Sequence, residues 1–206
     1  MSKYNIAVYT FKIEVKGLEE KIWRSIEILS TSNVARIAYT VLASFQTAMY
    51  HLYNISYKGK RYDSMIEAAD YYGAEKLIDA RKVRLYELDL IVNDELTMTY
   101  DYGVDWEFRI ILTNIRNMEN DSKIVDYPKI VDGAGYGIIE DRHYSDARKI
   151  IEAIDKTGKV TEYALTLSGK MKKWDYRRYD LAVDNDTLKE RLYAAIVAYE
   201  ELTDIK

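Results

Sequence analysis

Four acidic side chains, in two short segments, have the residue types and spacing for metal or acid–base chemistry. They are Asp101, Asp105, Glu140 and Asp141. Carboxylates are the ligands that hard cations such as Mg²⁺ prefer, and two carboxylates in different environments can serve as general acid and general base. His51 could assist such a site, and Arg24 could hold an anionic group. The pattern is compatible with a metal-dependent hydrolase or phosphoesterase.

The same acids have an ordinary structural interpretation. Aspartates in turns commonly accept hydrogen bonds from nearby backbone amides. Glu140 and Asp141 could cap the helix that follows them, or they could pair with Arg24. Likewise, His51 could be a hydrogen-bonding residue at the start of a strand. We expect these structural roles, with no resident metal or cofactor, while the catalytic interpretation stays open.

Other enzyme classes lack their motifs. The chain has no cysteine, which excludes thiol catalysis, thiolate zinc sites and disulfide scaffolds. Its two histidines, His51 and His143, are not paired four residues apart on a helix. Gly133, Gly135 and Gly137 do not open a helix inside a βαβ unit, so we expect a flexible loop rather than a phosphate cradle. The sequence also contains no P-loop and no Gly-x-Ser-x-Gly elbow.

An acidic stretch between residues 86 and 107 suggests a surface for a protein partner. It contains seven acids and no lysine or arginine. Such a surface can steer a cationic protein toward it. The residues that we assign to partner binding are Glu87, Asp89, Asp94 and Glu95.

A basic run near the C-terminus combines cations with aromatic side chains. Its candidate nucleic-acid-binding residues are Lys170, Lys172, Lys173, Trp174, Arg177 and Arg178. Cations can hold phosphates and aromatic rings can stack on bases. The run could equally be a solvated turn, and the net charge of −4 with a pI of about 5.4 disfavours a broad duplex-binding face.

Hydrophobic periodicity predicts the elements that must position these residues. Alternation with period two predicts β-hairpins over residues 7–29 and 96–112. Apolar residues at helical spacing predict a long helix from Val34 to about Tyr50, followed by a strand from His51 to Tyr57. An amphipathic helix interrupted at Gly73 is expected over residues 64–82.

The C-terminal third has helical rather than strand periodicity. An apolar stripe predicts one helix around residues 147–154, and a capping box formed by Thr187 and Glu190 predicts the start of another. The expected fold class is therefore α+β, with an antiparallel sheet of hairpins packed against a long helix and a helical C-terminal third. We divide the chain into a core, residues 1–145, and a helical extension, residues 146–206, packed on it.

Composition favours a folded protein inside the cell. The 206 residues are 48% hydrophobic and 31% charged, which is enough apolar surface to form a core. The absence of cysteine suits a reducing compartment. The sequence contains no apolar signal core and no window of about 18 apolar residues for a membrane span. We expect a cytoplasmic protein without a membrane anchor.

Several short motifs, in the same order, resemble the plasmid pRiA ORF-three-like family of mobile-element passenger proteins, sometimes labelled TnpR-like. They are Ile22-Trp23-Arg24, His51-Leu52, Tyr100-Asp101-Tyr102-Gly103-x-Asp105-Trp106, Tyr127-Pro128, Asp132-Gly133 and Glu140-Asp141. The resemblance spans roughly residues 5–145, and the remaining chain is similar to the family's usual tail. It implies an α+β fold, a setting on plasmids or transposons and no assigned biochemical function.

This sequence departs from the family pattern at polar positions. Val104 follows Gly103 where the family has Asp, and Phe108 stands where it has His. Ile138-Ile139 replace the prolines that usually precede Glu140-Asp141. The departures favour structural roles for the motif, and we expect Trp23, Tyr100, Gly103 and Trp106 to be fold positions.

Three functions follow from this sequence. The first is a non-catalytic protein of a plasmid, transposon or phage that binds a protein partner and inhibits a host nucleic-acid-directed defence system such as CRISPR. The second is the metal-dependent hydrolase or phosphoesterase. The third is a nucleic-acid accessory protein that uses residues 170–178. Neither the identity of the partner nor the oligomeric state follows from the sequence.

Overall fold

The computed structural model describes residues 6–64, 77–118 and 123–201, which form an α+β fold. The strands are β1 (Ala7–Val15), β2 (Trp23–Leu29), β3 (Tyr53–Tyr57), β4 (Lys60–Asp63), β5 (Ile78–Asp79), β6 (Glu95–Tyr100), β7 (Trp106–Asn117), β8 (Lys129–Ala134), β9 (Tyr163–Leu165) and β10 (Met171–Lys173). The α-helices are α1 (Val34–Ser44), α2 (Tyr144–Thr157) and α3 (Leu181–Ile196), and a π-helical turn, Val197–Glu201, continues α3. Two 3₁₀ turns lie at Leu85–Leu88 and Ile124–Asp126.

Eight of these strands form one sheet in the order β5-β4-β3-β6-β7-β1-β2-β8. Its neighbours are antiparallel except for the short β4–β5 pair. Both predicted hairpins are confirmed, because β1 pairs with β2 and β6 pairs with β7. The mainly antiparallel sheet with helices confirms the α+β class.

Helix α1 is central to the core, since Arg36 is the one residue of this helix that is not buried. The Asn33 side chain caps its first turn. The prediction that this helix continues to about Tyr50 is wrong. It ends at Ser44, and both Gln46 and Met49 adopt left-handed backbone angles that no α-helix accommodates.

The C-terminal third contains the two expected helices. In α2 the predicted stripe is buried at Ala147, Ile151 and Ile154. Helix α3 begins at Leu181 with Asp180 as its cap, so the predicted start at Thr187 is wrong. The Thr187 hydroxyl donates to the carbonyl of Val183 within the helix instead of capping it.

Helix α3 packs against α1 through a partly buried arginine. Arg191 donates hydrogen bonds to the carbonyls of Ala43 and Thr47 at the C-terminal end of α1. A cation at this end of a helix satisfies carbonyls that have no partner in the helix and opposes the negative end of its dipole. The assignment of residues 146–206 to an extension separate from a core of residues 1–145 stays a prediction.

The predicted helix over residues 64–82 falls mostly outside the described residues, which omit residues 65–76. Within the described part, Ile78 and Asp79 form β5, so that portion of the prediction is wrong. Among the described helices, none has the length and apolar character that crossing a membrane requires.

Candidate metal centre

The loop between α1 and β3 places His51 just before β3, at the end of the sheet where that strand begins. The Gln46 and Met49 backbones turn the chain, and the amide of Ala48 donates to Oε1 of Glu140 over 2.5 Å. From the other side, the Tyr199 hydroxyl donates to the His51 carbonyl over 2.6 Å. The backbone on both sides of the imidazole is therefore fixed by residues distant in sequence.

The tight turn of the β6–β7 hairpin presents Asp101. This residue is 5% exposed and has a positive φ of 59°. Its amide donates to the carbonyl of Leu52, and its Oδ1 accepts from the amide of Gly103. The other carboxylate oxygen, Oδ2, lies 3.2 Å from Nε2 of His51.

The segment after β8 contributes Glu140 and Asp141. Oδ1 of Asp141 lies 3.1 Å from Nε2 of His51, and its Oδ2 accepts a hydrogen bond from the Tyr50 hydroxyl over 2.6 Å. Glu140 is buried, and its Oε2 lies 4.0 Å from the same Nε2. The Tyr100 hydroxyl donates to the Glu140 carboxylate at 3.1 Å from Oε1. Three separate loops thus converge on one imidazole nitrogen.

Burial and charge govern protonation around the cluster. Burial raises the pKa of Glu140, although the Ala48 amide and the Tyr100 hydroxyl stabilise its ionised form and oppose that rise. The pKa of Tyr100 is raised, first by burial and then by the adjacent charge of Glu140. Burial and the hydrogen bond to Asp141 likewise raise the pKa of Tyr50. Both phenols are therefore neutral donors to carboxylates at neutral pH.

One imidazole nitrogen and two carboxylates, from His51, Asp101 and Asp141, form the group that could hold a metal ion. Their ligand atoms lie within 4.8 Å of one another. The side chain of Asp141 is 66% exposed and that of His51 is 24% exposed, so the cluster opens to solvent on the Asp141 side. Three protein ligands with an open side are typical of catalytic rather than structural metal sites.

Asp105, the fourth predicted acid, does not join the cluster. It is exposed and follows the turn with a positive φ of 51°, and its amide donates to the Asp101 carbonyl. Its charge makes a minor contribution to the raised pKa of Lys16. Of the four acids and His51 in the alternative catalytic site, Asp105 is therefore the one that the structure does not bring to the cluster.

Arg24 is not available to hold an anionic group at this site. Its side chain is fully buried and donates to the carbonyls of Ser44, Ala134 and Tyr136. Its ion-pair partner is Asp184, at 3.5 Å, rather than Glu140 or Asp141. The expected cap is also wrong, because His143 caps α2.

The glycines of the later segment allow close packing. Gly133 lies in β8, so the loop expected from the sequence does not include it. Gly137 has a φ of 142°, and a Cβ atom on it would lie 2.2 Å from the carbonyl oxygen of Phe45. Only glycine allows this approach. The flexibility of the loop stays a prediction.

The acidic stretch is partly neutralised within the molecule. Asp94 accepts from the Tyr57 hydroxyl and pairs with Lys58. Glu95 pairs with Arg109 on the neighbouring strand at 2.6 Å. Glu87 accepts from the Arg84 amide, and Asp89 is exposed at the end of the 3₁₀ turn. Two of the four proposed partner-binding acids therefore already bind cations of this chain.

The basic run does not present its tryptophan to solvent. Trp174 is fully buried and donates to the carbonyl of Gly137, so its ring is inaccessible for stacking on a base. Arg177 is bound to Asp175. The exposed cations that remain are Lys170, Lys172, Lys173 and Arg178.

Sequence reasoning did not identify Tyr50 and Tyr199 as site residues. Tyr50 directly precedes His51 in the sequence, and this adjacency to a candidate site residue could have indicated it. Tyr199 is 148 residues from His51, and nothing in its local sequence distinguishes it from the other tyrosines of the chain.

Comparisons with known proteins agree with this fold. Among the solved structures, the crystal structure of the protein of unknown function MM3350 from Methanosarcina mazei Go1 matches with a TM-score of 0.66 and 18% identity. The match covers 86% of this chain and 97% of that one, and at this identity it shows the fold alone. No curated protein matches. The family model described as plasmid pRiA4b ORF-3-like protein matches residues 7–186, so the chain belongs to the plasmid pRiA4b ORF-3-like family.

Proposed function

We propose that this protein binds a divalent cation through His51, Asp101 and Asp141 and uses it in hydrolysis. The observation that carries the proposal is that Nε2 of His51 faces two carboxylate oxygens, at 3.2 Å and 3.1 Å. A neutral imidazole nitrogen can donate one proton, so it cannot fully satisfy both anions. A cation among the three would neutralise both carboxylates. Ligand atoms around a six-coordinate ion with bonds of about 2.1 Å lie about 3 Å apart, which fits these separations.

The open side of the cluster supports a catalytic use of the cation. Protein atoms supply three ligands, which leaves coordination positions for water and substrate. A metal-bound water is a nucleophile at neutral pH, and the metal can polarise an ester or phosphoester oxygen. The Glu140 carboxylate, 4.0 Å from Nε2 of His51, lies within reach of such a water. This is the metal-dependent hydrolase or phosphoesterase that the sequence left open as an alternative, with Asp105 omitted.

Thermal unfolding in Mg²⁺, Mn²⁺ and Zn²⁺ tests the metal site, since a ligand that binds only the native state stabilises it. At a cation concentration of about 100 times Kd the stabilisation is about 2.7 kcal/mol. Asp141→Asn should abolish the shift. Asp105→Asn is the matched control, because both residues are acids with positive φ and asparagine tolerates that conformation. Equal shifts in the two variants, or no shift with any cation, would contradict the proposal.

Hydrolysis requires its own assay. We expect metal-dependent release of nitrophenol from p-nitrophenyl phosphate or p-nitrophenyl acetate, lost in Asp141→Asn and retained in Asp105→Asn. Cation binding without turnover of either ester would support the metal site and contradict the assignment as a hydrolase. The cytoplasmic location expected from the cysteine-free sequence is part of this proposal.

A second candidate function is docking onto a protein partner, and exposed apolar side chains in the acidic stretch favour it. Tyr86, Ile91 and Val92 are 52%, 66% and 44% exposed, beside Glu87 and Asp89. Apolar groups with neighbouring acids suit a cationic partner. A CRISPR nuclease, whose nucleic-acid channel is basic, is the partner proposed for a mobile-element protein.

Inhibition of DNA cleavage by a guide-loaded Cas9 complex tests this second function. We expect Asp89→Lys to weaken inhibition more than reversal of Glu95, because Glu95 is already paired with Arg109. Asp186→Lys, at an exposed position of α3, controls for the change in net charge. Unimpaired cleavage at every concentration of the wild-type protein would contradict anti-defence activity of this kind.

A further inference from the structure

A cleft lies at the N-terminal end of α1, the end opposite to His51. Its volume is about 330 Å³. Helix α1 has 11 residues, so at 1.5 Å per residue about 16 Å of helix separates the cleft from the loop that leads to the candidate metal centre. The cleft is therefore a separate site. Its lining residues are Leu29, Thr31, Ser32, Asn33, Arg36, Arg84, Ile124 and Tyr127.

Among the residues that the structure describes, the lining carries two cations and no acid, although the chain has a net charge of −4. The guanidinium of Arg36 forms no hydrogen bond and no ion pair with any residue that the structure describes. Burial lowers the pKa of Arg36, and the charge of Glu200 partly opposes that effect. Arg84 donates one hydrogen bond, from Nη1 to the carbonyl of Thr31. A guanidinium has five N–H donors, so most donors of both arginines lack a partner within the described chain.

Side chains rather than the helix terminus would hold a ligand here. The amides of Val34 and Ala35 donate to the carbonyls of Val83 and Ala80. The Arg36 amide donates to the side chain of Asn33. These first backbone donors of α1 are therefore occupied. The hydroxyls of Thr31 and Ser32, in contrast, make no hydrogen bond with the described residues, and both line the cleft.

The remaining wall of the cleft is apolar. Leu29 and Tyr127 are buried, while Ile124 is 59% exposed at the rim. Unpaired guanidinium and hydroxyl donors beside an apolar wall suit a molecule with an anionic group at one end and a ring at the other. The volume is at the small end of the range for ligand pockets, about 300–1,000 Å³.

We infer that this cleft binds a small phosphate monoester with an aromatic or apolar group, of the size of a nucleoside monophosphate. Arg36 and Arg84 contact the phosphate, with the hydroxyls of Thr31 and Ser32 as further donors. Ile124 and Tyr127 contact the ring. The inference does not depend on a metal ion at His51, since the two sites share no residue.

Calorimetric titration with AMP, inorganic phosphate and adenosine tests the inference. We expect AMP to bind more tightly than phosphate, and adenosine to show no saturable binding. Arg36→Gln should weaken AMP binding by about tenfold or more, because each hydrogen bond to a charged group contributes about 1.5–3 kcal/mol. Arg178→Gln is the matched control, since Arg178 is exposed and outside the cleft. It should bind AMP as the wild-type protein does.

A second variant tests the same inference without changing a residue of α1, in case Arg36→Gln perturbs that helix. Ile124→Glu places a negative charge at an exposed rim position, where no core packing is lost, and it should also weaken AMP binding by about tenfold. Three outcomes would overturn the inference: no saturable AMP binding by the wild-type protein, equal effects of Arg36→Gln and Arg178→Gln, or adenosine binding as tight as AMP. Equal affinities for phosphate and AMP would overturn the assignment of the apolar wall.

Discussion

The Tyr199 hydroxyl donates a hydrogen bond to the backbone carbonyl of His51 over 2.6 Å. Tyr199 lies in the π-helical turn that continues α3, and its ring stacks on Tyr39 with centroids 5.6 Å apart. An edge-on contact with Tyr53 completes this aromatic cluster. The C-terminal helix therefore fixes the backbone of the residue on which the candidate metal centre is built.

Removal of this single hydroxyl should loosen the site without unfolding the protein. We expect Tyr199→Phe to lower the free energy of unfolding by about 0.5–1.5 kcal/mol, the net contribution of one hydrogen bond. Affinity for Mn²⁺ should fall by about tenfold, the lower end of the range typical of groups that orient metal ligands. Calorimetric titration measures the affinity. Tyr193→Phe, at a 64% exposed position of the same helix, should leave it unchanged.

The ion pair of the buried Arg24 with the partly buried Asp184 should be essential for stability. Burial lowers the pKa of Arg24 to about 10 and raises the pKa of Asp184, so both charges depend on their partners in the fold. Arg24→Met leaves the carbonyls of Ser44, Ala134 and Tyr136 without this donor. We expect a loss of about 3–5 kcal/mol, measured by urea unfolding.

Replacement of Arg24 by lysine distinguishes the contribution of the positive charge from that of the planar guanidinium geometry. Arg24→Lys keeps the charge but has no planar fork to reach several carbonyls at once. We expect it to recover little of the stability that Arg24→Met loses. Full recovery by lysine would show that charge alone is required at this position.

Trp106 should contribute more to stability than Trp23, although both belong to the family motifs. Trp106 is fully buried in the core, whereas Trp23 is only partly buried beneath Lys12. We expect Trp106→Ala to cost about 3–5 kcal/mol in the free energy of unfolding, by loss of transfer energy and creation of a cavity. Trp23→Ala should cost less in the same denaturation experiment. Equal costs would be inconsistent with this packing.

Asp79 should make the free energy of unfolding depend on pH in the acidic range. Burial raises the pKa of this carboxyl, but hydrogen bonds from the Arg81 side chain and amide outweigh burial and hold it below 3.8. Because the folded-state pKa is depressed, the contribution is fully present above the unfolded value of about 3.9. It is lost as the pH falls through the folded value. Urea unfolding of wild type and Asp79→Asn should therefore differ at neutral pH and converge only when the pH has fallen below the depressed folded-state pKa.

Asp186→Asn provides the comparison for that experiment. This acid is exposed on α3, so its removal should leave the slope of stability against pH close to that of the wild type. A wild-type profile that Asp79→Asn leaves unaltered would mean that another carboxylate dominates the acid transition.

Local patterns were sufficient for much of the sheet. The alternation in β1, β2, β6 and β7 predicts both hairpins, because adjacent antiparallel strands need only a turn and one buried face. Helix boundaries were less predictable. The segment after Ser44 keeps helical spacing of apolar residues, yet the left-handed backbones of Gln46 and Met49 end the helix there. Contacts with Glu140 and Arg191, both distant in sequence, hold this segment.

The candidate site was partly predictable, because some of its residues lie in short local motifs. The motifs identify Asp101, Glu140, Asp141 and His51, and the turn chemistry around Gly103 is local. The exclusion of Asp105 was not predictable from spacing. Asp101 and Asp105 bracket one tight turn, but one carboxylate faces His51 while the other residue is exposed near Lys16.

The α+β class, the two hairpins and the residue types able to bind a cation could be predicted, because these depend on short-range periodicity and side-chain chemistry. Which acids meet His51, the pairing of Arg24 with Asp184 and the support of the site by Tyr199 depend instead on long-range packing. Those contacts join segments about 50 to 160 residues apart. They form only when α3 and the loop after β8 pack around α1, and such packing depends on the shape of the whole core rather than on any local pattern.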